Sequence, residues 1–307
     1  MLKDVSRSIG NSPLVELSRF GRGLPSRLVA KLDMQNPGGS VKDRLGLALI
    51  EDAEKRGVLE PGGTLIEATG GNTGIGLALV AAVRGYRIIL TMPRSMSKER
   101  VALLQYLGAE VHLTPGILMT DAVELARRLA CETPGSVLID QFNNPANPEL
   151  HRQTTAQEIL WDSDGAIDAF VAAVGTGGTI TGVGSVLKSR NRQTEIIAVE
   201  PSGAAVLSGG TPGPHQMPGI GVGFVPKLLD RELIDRIAVV EDHQAFDACR
   251  RLAKTEGIMA GVSAGAALHA ACEEARDPLR AGRTIVVFLA DTAERYVSSA
   301  LFTSSLD

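Results

Sequence analysis

The stretch Thr64-Leu65-Ile66-Glu67-Ala68-Thr69-Gly70-Gly71-Asn72-Thr73-Gly74 decides the fold. Residues 64–68 read as a short buried strand, residues 69–74 as a loop of small and hydroxyl-bearing side chains, and a helix follows through residue 84. A strand that passes through a glycine loop into a helix is the unit from which parallel sheets are built. The same alternation extends both ways. Before it lie the turn and short strand of Ile9-Gly10-Asn11-Ser12-Pro13-Leu14-Val15, a strand over 28–32 and a helix ending at residue 56. After it come a strand over 86–92, a helix over 97–107 closed by Gly108, a strand over 110–113, a helix over 120–132 and a strand over 136–139. Asn143-Asn144-Pro145-Ala146-Asn147-Pro148 is dense in turn formers and marks a boundary. A second alternation follows: helix 149–161, strand 169–174, helix 179–190, strand 195–200, strand 237–240, helices 242–256 and 263–275, and strand 284–289. Residues 208–223, rich in glycine and proline and without periodicity, are too long for a plain connection and read as a functional loop. The expected fold class is α/β, with two mostly parallel twisted sheets flanked by helices and a ligand in the cleft at the carboxyl ends of strands.

Composition narrows the function classes. A chain of 307 residues holds about two domains or one large one, and 44% hydrophobic content is ample for a core. A net charge of −4 gives no electrostatic footprint for nucleic acid or an anionic membrane. The longest apolar runs, such as 75–83, are interrupted by Gly76 and too short to span a bilayer. Met1-Leu2-Lys3-Asp4-Val5 carries no apolar signal-peptide core. Cys131, Cys249 and Cys272 are far apart, form no CxxC and fall in expected helices, so buried free thiols in a reducing cytoplasm are expected. His112, His151, His215, His243 and His269 are scattered and give no metal spacing.

Asn36-Pro37-Gly38-Gly39-Ser40-Val41-Lys42-Asp43-Arg44 is a proline–glycine turn leading into the helix that ends at 56, with Ser40 as its N-cap and Leu45, Leu47, Leu49 and Ile50 on its apolar side. Lys42 then stands in the first turn, where the positive end of the helix dipole opposes its charge. That field, with burial, favours the neutral amine that Schiff-base chemistry needs. For a lone lysine, the plain reading is a surface side chain beside Asp43 and Arg44. Val171-Ala172-Ala173-Val174-Gly175-Thr176-Gly177-Gly178-Thr179-Ile180-Thr181-Gly182 is strand, glycine loop and helix start, an arrangement that cradles phosphate; the alternative is an empty tight turn. No Gly-Lys pair exists for a Walker A motif, and Ile180 and Leu79 break the dinucleotide fingerprint, which leaves a small phosphorylated ligand. The 69–73 loop suits an α-carboxylate, and the Asn72 amide can donate and accept; an ordinary N-capped helix remains the alternative. Gly261-Val262-Ser263-Ala264-Gly265 matches a nucleophile elbow, but the only later histidine is His269, with no acid between. Ser263 is therefore read as an N-cap or as the hydroxyl partner of a ligand atom.

Together these motifs resemble the cysteine synthase (O-acetylserine sulfhydrylase) and cystathionine β-synthase family, pyridoxal-phosphate enzymes of fold type II. The likeness runs from Ile9 to Asp291-Thr292-Ala293-Glu294-Arg295-Tyr296. It implies that Lys42 forms the internal Schiff base with pyridoxal 5′-phosphate and takes the substrate α-proton. Asn72 would hydrogen-bond the cofactor's 3′-oxygen, Gly175, Thr176, Gly177, Gly178 and Thr179 the phosphate, and Ser263 the pyridine nitrogen. Thr69, Gly70, Gly71, Thr73 and Gln141 would receive the substrate carboxylate, and Gly219-Ile220-Gly221 would line the entrance. A hydroxyl at the pyridine nitrogen makes a weaker electron sink than a carboxylate would, which favours loss of a β-leaving group. The implied activity is β-replacement on an O-activated L-serine, O-acetylserine first, through an aminoacrylate, with sulfide or a thiol as nucleophile, giving L-cysteine or a thioether. A cystathionine-forming condensation with homocysteine is the enzyme alternative, and a non-catalytic binding protein on this scaffold the alternative of another class. The likeness also implies a cytoplasmic homodimer, with a smaller mobile substrate-binding domain over 40–145 and a larger phosphate-binding domain over 1–39 and 146–307. One position departs. The family usually has serine where Gly70 stands, so a hydroxyl is missing and room near the substrate is expected.

Overall fold

The β-branched and apolar runs form strands and the amphipathic stretches form helices. In chain order they are β1 (Leu14–Glu16), β2 (Arg27–Leu32), α1 (Lys42–Lys55), β3 (Thr64–Ala68), α2 (Asn72–Arg84), β4 (Arg87–Pro93), α3 (Lys98–Tyr106), β5 (Glu110–Thr114), α4 (Met119–Glu132), β6 (Ser136–Leu138), α5 (Ala146–Gln153), α6 (Thr155–Asp162), β7 (Ala169–Ala173), α7 (Gly178–Arg190), β8 (Glu195–Pro201), β9 (Arg236–Val240), α8 (Asp242–Glu256), α9 (Val262–Arg276), β10 (Thr284–Leu289) and α10 (Ala300–Thr303). The computed structural model describes residues 1–116 and 118–303. The chain divides into two units, Met1–Ile9 with Asn36–Asn147, and Gly10–Gln35 with Pro148–Asp307.

The first unit is built on a four-stranded sheet in the order β5-β4-β3-β6, parallel throughout. Ile66 and Ile89 pack with Ala126 of α4 on one face, joined by Ala68, Leu129 and Ala130. Side chains alternate across a strand, so Leu65 and Glu67 point to the other face. Helices α1 and α2 meet through glycines. A Cβ on Gly76 would overlap the Lys42 carbonyl oxygen, and one on Gly46 would lie 2.5 Å from the Gly76 carbonyl carbon. The two backbones are therefore in direct contact at this crossing. Gly85 then ends α2 in the left-handed region at φ 74°, a conformation that a β-carbon disfavours.

The second unit is built on a six-stranded sheet, β1-β2-β10-β7-β8-β9, parallel except for β1, which pairs antiparallel with β2. Val171, Ile197, Ile285 and Val287 form the centre of its core. The alanine-rich face of α9 packs there with α8, and a Cβ on Gly265 would overlap the Ala245 carbonyl. Small residues set this close approach.

Three expectations are corrected. The helix expected over 149–161 is two helices, because Thr154 leaves helical geometry (φ −121°, ψ −74°) while its hydroxyl donates to the Leu150 carbonyl at 2.7 Å. α1 begins at Lys42 with Val41 at the cap position; Ser40 Oγ instead accepts the Lys42 N–H at 3.2 Å. Cys131 is exposed, while Cys249 and Cys272 are buried. It lies on the side of α4 away from Ala122 and Ala126, the residues that this helix buries.

The helix crossing yields a test. Alanine at position 76 improves helix propensity by up to about 1 kcal/mol. It should nonetheless destabilise the protein by roughly 1–3 kcal/mol, because a β-carbon has no room against the α1 backbone. Urea denaturation of Gly76→Ala measures the net sign, and an unchanged or raised midpoint would refute backbone contact at the crossing.

Candidate active site

In the first unit, the turn before α1 is held by its own helix. Gly38 N–H donates to the Asp43 carboxylate at 2.6 Å and Gly39 N–H to the Asn36 carbonyl at 2.7 Å. Lys42 is the first residue of α1 and is half-buried, and its carbonyl oxygen lies against Gly76, one turn into α2. Helix α2 opens from the loop after β3. Gly71 occupies its cap position without a side-chain cap, and half-buried Asn72 is its first residue. Thr69 Oγ1 accepts the Gly71 N–H at 3.3 Å, which curls the loop so that the N-terminus of α2 is presented. An uncapped helix N-terminus with small neighbours is a receptor for an anionic oxygen.

Gln141, beyond β6, is brought to this loop. Its Oε1 accepts the Thr73 hydroxyl at 2.7 Å, with Thr73 and Gln141 both buried. The Asn147 side-chain amide donates to the Gln141 carbonyl at 3.1 Å. Lys42, Asn72, Thr69, Gly70, Gly71, Thr73 and Gln141 all belong to this unit, and Thr73 and Gln141 are in direct contact. Gly70 does not open a void. A Cβ there would lie 2.9 Å from Met96 Cγ, 3.0 Å from Met96 Sδ and 3.3 Å from Met92 Sδ, so flexible thioethers occupy the space expected to be free.

Glu67 and Asp140 were not among the expected site residues. Glu67 is buried in β3, and its Oε2 accepts the Asp140 N–H at 3.0 Å; this donor and the nearby polar groups of Gln141 favour its charged form. Burial pushes its carboxyl up to about 7, and the neighbouring Asp140 charge adds to the rise, against the lowering effect of these donors. A glutamate inside an otherwise apolar strand was the available sequence signal. Nothing local announced the left-handed backbone of Asp140, at φ 53°.

The second unit supplies the other expected residues. The loop after β7 turns at Gly177 (φ 83°), where a Cβ would lie 2.8 Å from Leu229 Cβ, and opens α7 without a side-chain cap. Gly178 N–H donates to Thr176 Oγ1 at 3.4 Å, and Thr179 Oγ1 lies 3.1 Å from Nε2 of buried His151, whose Nδ1 lies 2.8 Å from Thr155 Oγ1. Gly175 and Gly219 touch backbone to backbone, since a Cβ on Gly175 would overlap the Gly219 carbonyl; Gly219 itself is left-handed at φ 90°. The 208–223 segment is therefore joined to the glycine loop. Ser263 lies in the first turn of α9, with Gly261 at the cap position, so the N-cap reading is set aside. Ser263 itself is buried. Each unit opens a helix without a side-chain cap from a glycine loop, a receptor for an anionic oxygen, and the first unit also holds Lys42, an amine able to bind an aldehyde. No group of three or more His, Cys, Asp or Glu that could hold a metal ion occurs among the described residues. No helix among them is long and apolar enough to cross a membrane.

The chain was compared with known proteins. The family model described as pyridoxal-phosphate dependent enzyme matches residues 5–291. A cysteine synthase of Staphylococcus aureus is 48% identical over 301 residues, 97% of this chain and 96% of that protein. A cysteine synthase (OASS) structure from Entamoeba histolytica superposes with a TM-score of 0.95 at 41% identity, covering 98% of this chain and 91% of that one. The structure of O-ureido-L-serine synthase also superposes with a TM-score of 0.95, at 42% identity, covering 100% of this chain and 96% of that one.

Glu67 makes stability depend on pH. Its carboxyl titrates near 7 in the folded chain and near 4.5 when unfolded, so the folded state holds the extra proton between those values. The contribution is fully present below about pH 4.5 and is lost as pH rises through about 7, a change on the order of 3 kcal/mol. Denaturant unfolding of wild type and Glu67→Gln between pH 4.5 and 8 should show the wild type losing stability relative to the variant as pH rises. Parallel profiles would remove Glu67 as the cause.

Proposed function

The chain belongs to the family of pyridoxal-phosphate dependent enzymes, and from that premise we propose that it replaces the acetoxy group of O-acetyl-L-serine with sulfide, giving L-cysteine and acetate. The observation that carries this reading is Lys42 at the start of α1, held by the α1–α2 backbone contact near the uncapped N-terminus of α2. Likeness over almost the whole chain to a cysteine synthase supports the same activity.

When bound, the cofactor draws electrons from the α-carbon of the amino acid attached to it, so that the α-proton becomes removable and the β-substituent can leave. The rest falls to the protein. The Lys42 amine would hold the cofactor's aldehyde and serve as the base for the substrate α-proton. The 69–73 loop and Gln141 receive the donor's α-carboxylate, so the Cα–H and the β-substituent are held in one orientation. Asn72 would bond the cofactor's 3′-oxygen, residues 175–179 its phosphate, and the Ser263 hydroxyl its ring nitrogen. Gly219 and its neighbours line the path by which sulfide enters. We also infer a cytoplasmic homodimer whose smaller part, over 40–145, moves to admit the donor; this rests on the family likeness alone.

Gly70 bears on the choice of donor and nucleophile. Without the usual serine, one hydroxyl is missing from the carboxylate loop, and Met96 and Met92 stand at that spot. Gly70→Ser should fold, because a flexible thioether can swing aside. It should change donor kcat/KM about fivefold, the worth of one hydrogen bond of about 1 kcal/mol. A change below twofold would remove position 70 from substrate selection.

The central test is visible absorbance of the purified holoenzyme before and after O-acetyl-L-serine, followed by sulfide or homocysteine as the second substrate. Lys42→Ala should lose the cofactor's lysine-linked absorbance and at least ~1000-fold in turnover, since the amine is both attachment point and base. Retained turnover would overturn the mechanism. A wild type that responds to O-acetylserine but forms product only with homocysteine would move the activity to thioether synthesis.

A further inference from the structure

Gly70 and Gly71 stand side by side in the loop between β3 and α2. Two successive glycines have the most conformational freedom to lose, so such a loop is ordered only where its surroundings hold it. Neither glycine has a positive φ, so the backbone here does not itself demand glycine. What the two glycines meet differs. A Cβ on Gly71 would have nothing within 4 Å. Buried Gly70 instead faces sulfur: a Cβ there would lie 2.9 Å from Met96 Cγ, 3.0 Å from Met96 Sδ and 3.3 Å from Met92 Sδ. The thioethers fill the volume that a side chain at position 70 would take.

These methionines are seated in a frame outside the loop. Met92 is fully buried in β4. Met96 is half-buried and immediately precedes Ser97, the N-cap of α3. Its turn is fixed at three points. Met96 N–H donates to the Pro93 carbonyl at 3.0 Å, Arg94 N–H to the Thr114 carbonyl of β5 at 3.0 Å, and Arg100 N–H to Ser97 Oγ at 3.4 Å. The loop's first residue is tied to β4 by its backbone, through Thr69 N–H to the Thr91 carbonyl at 3.0 Å. At Gly70 the holding passes to side chains packed from β4 and from the turn before α3, and an unbranched thioether suits a gap of that shape.

We infer that Met96 is a positioning residue for the amino-acid donor: its thioether packs on Gly70 in place of the side chain that position lacks, and so holds the glycine loop with the N-terminus of α2 aimed at the donor's carboxylate. The inference rests on the reading above, in which the 69–73 loop receives that carboxylate. Met96 touches neither donor nor cofactor in this account and acts through Gly70.

Steady-state kinetics and amide hydrogen exchange of the holoenzyme test it. Met96→Ala removes the packing and leaves the loop's own hydrogen bonds. The KM for O-acetylserine should rise about tenfold, and exchange across residues 69–74 should quicken by about as much. The KM for sulfide and the cofactor absorbance should stay within about twofold. Met96→Leu, which nearly conserves volume, should keep the donor KM within about twofold of wild type. Gly70→Ala supplies the readout that a merely structural methionine would not move. In wild type its β-carbon displaces the thioether and should raise the donor KM; in Met96→Ala the same β-carbon enters vacated space and should lower it. The double variant also serves if Met96→Ala folds poorly. Three results would each overturn the proposal: Met96→Leu no better than Met96→Ala, Gly70→Ala acting in one direction in both backgrounds, or a joint shift of both KM values and the absorbance. A wild-type holoenzyme that does not respond to O-acetylserine overturns the functional reading, and this inference with it. A wild type that responds, beside a Met96→Ala variant with unchanged donor KM, overturns the inference alone.

Discussion

The contact on which the first unit depends is backbone against backbone, where Gly76 of α2 meets the Lys42 carbonyl and Gly46 of α1 meets Gly76. Two helices can approach this closely only where neither carries a β-carbon. The contact fixes the backbone of Lys42, the lysine proposed to hold the cofactor, at one turn's distance from the loop that opens α2. A lysine has a long, mobile side chain, so its reach is set by where its backbone is held. The rigidity of the site is therefore a property of two glycines with no chemistry of their own.

The same economy appears in the second unit. Gly175 against Gly219, and Gly177 against Leu229, draw chain segments far apart in sequence to one turn. Each such glycine substitutes contact for a side chain and leaves the helix N-terminus behind it without a side-chain cap. Uncapped N-termini are normally a defect, since their N–H groups need acceptors. Two of them, each after a parallel strand, fit a function in which anionic oxygens of a cofactor and a substrate supply what the chain omits.

Polar groups that are neither glycine nor ligand-facing hold the loops in place. Glu67 and Asp140 set Gln141, and His151 sets Thr179. Glu67 and His151 are buried and hydrogen-bonded, as buried polar groups must be, and with exposed Asp140 they convert loops into fixed surfaces. Burial of Glu67 brings a price in stability above neutral pH, which a chain under selection for stability alone would have no reason to carry.

Much of this was legible in the sequence. The strand–loop–helix rhythm located β3, α8 and β10 at their observed bounds, because hydrophobic period and turn residues are local signals. The first-turn position of Lys42 and the glycine loops could be read the same way, and the combination of motifs carried the family. The break at Thr154, the exposure of Cys131 and the thioethers at Gly70 could not. A helix break depends on which carbonyl a hydroxyl finds, and exposure depends on which face of α4 the sheet covers. The space beside a glycine belongs to residues that the chain brings from elsewhere. Sequence determined the elements, the fold class and the chemistry available to the chain, because these follow from residue type and spacing. Tertiary structure alone decided the backbone contact that seats Lys42, the left-handed turn at Asp140 and the bond of its N–H to Glu67. Each of these is a meeting of residues distant in the chain, and only packing determines which of them touch.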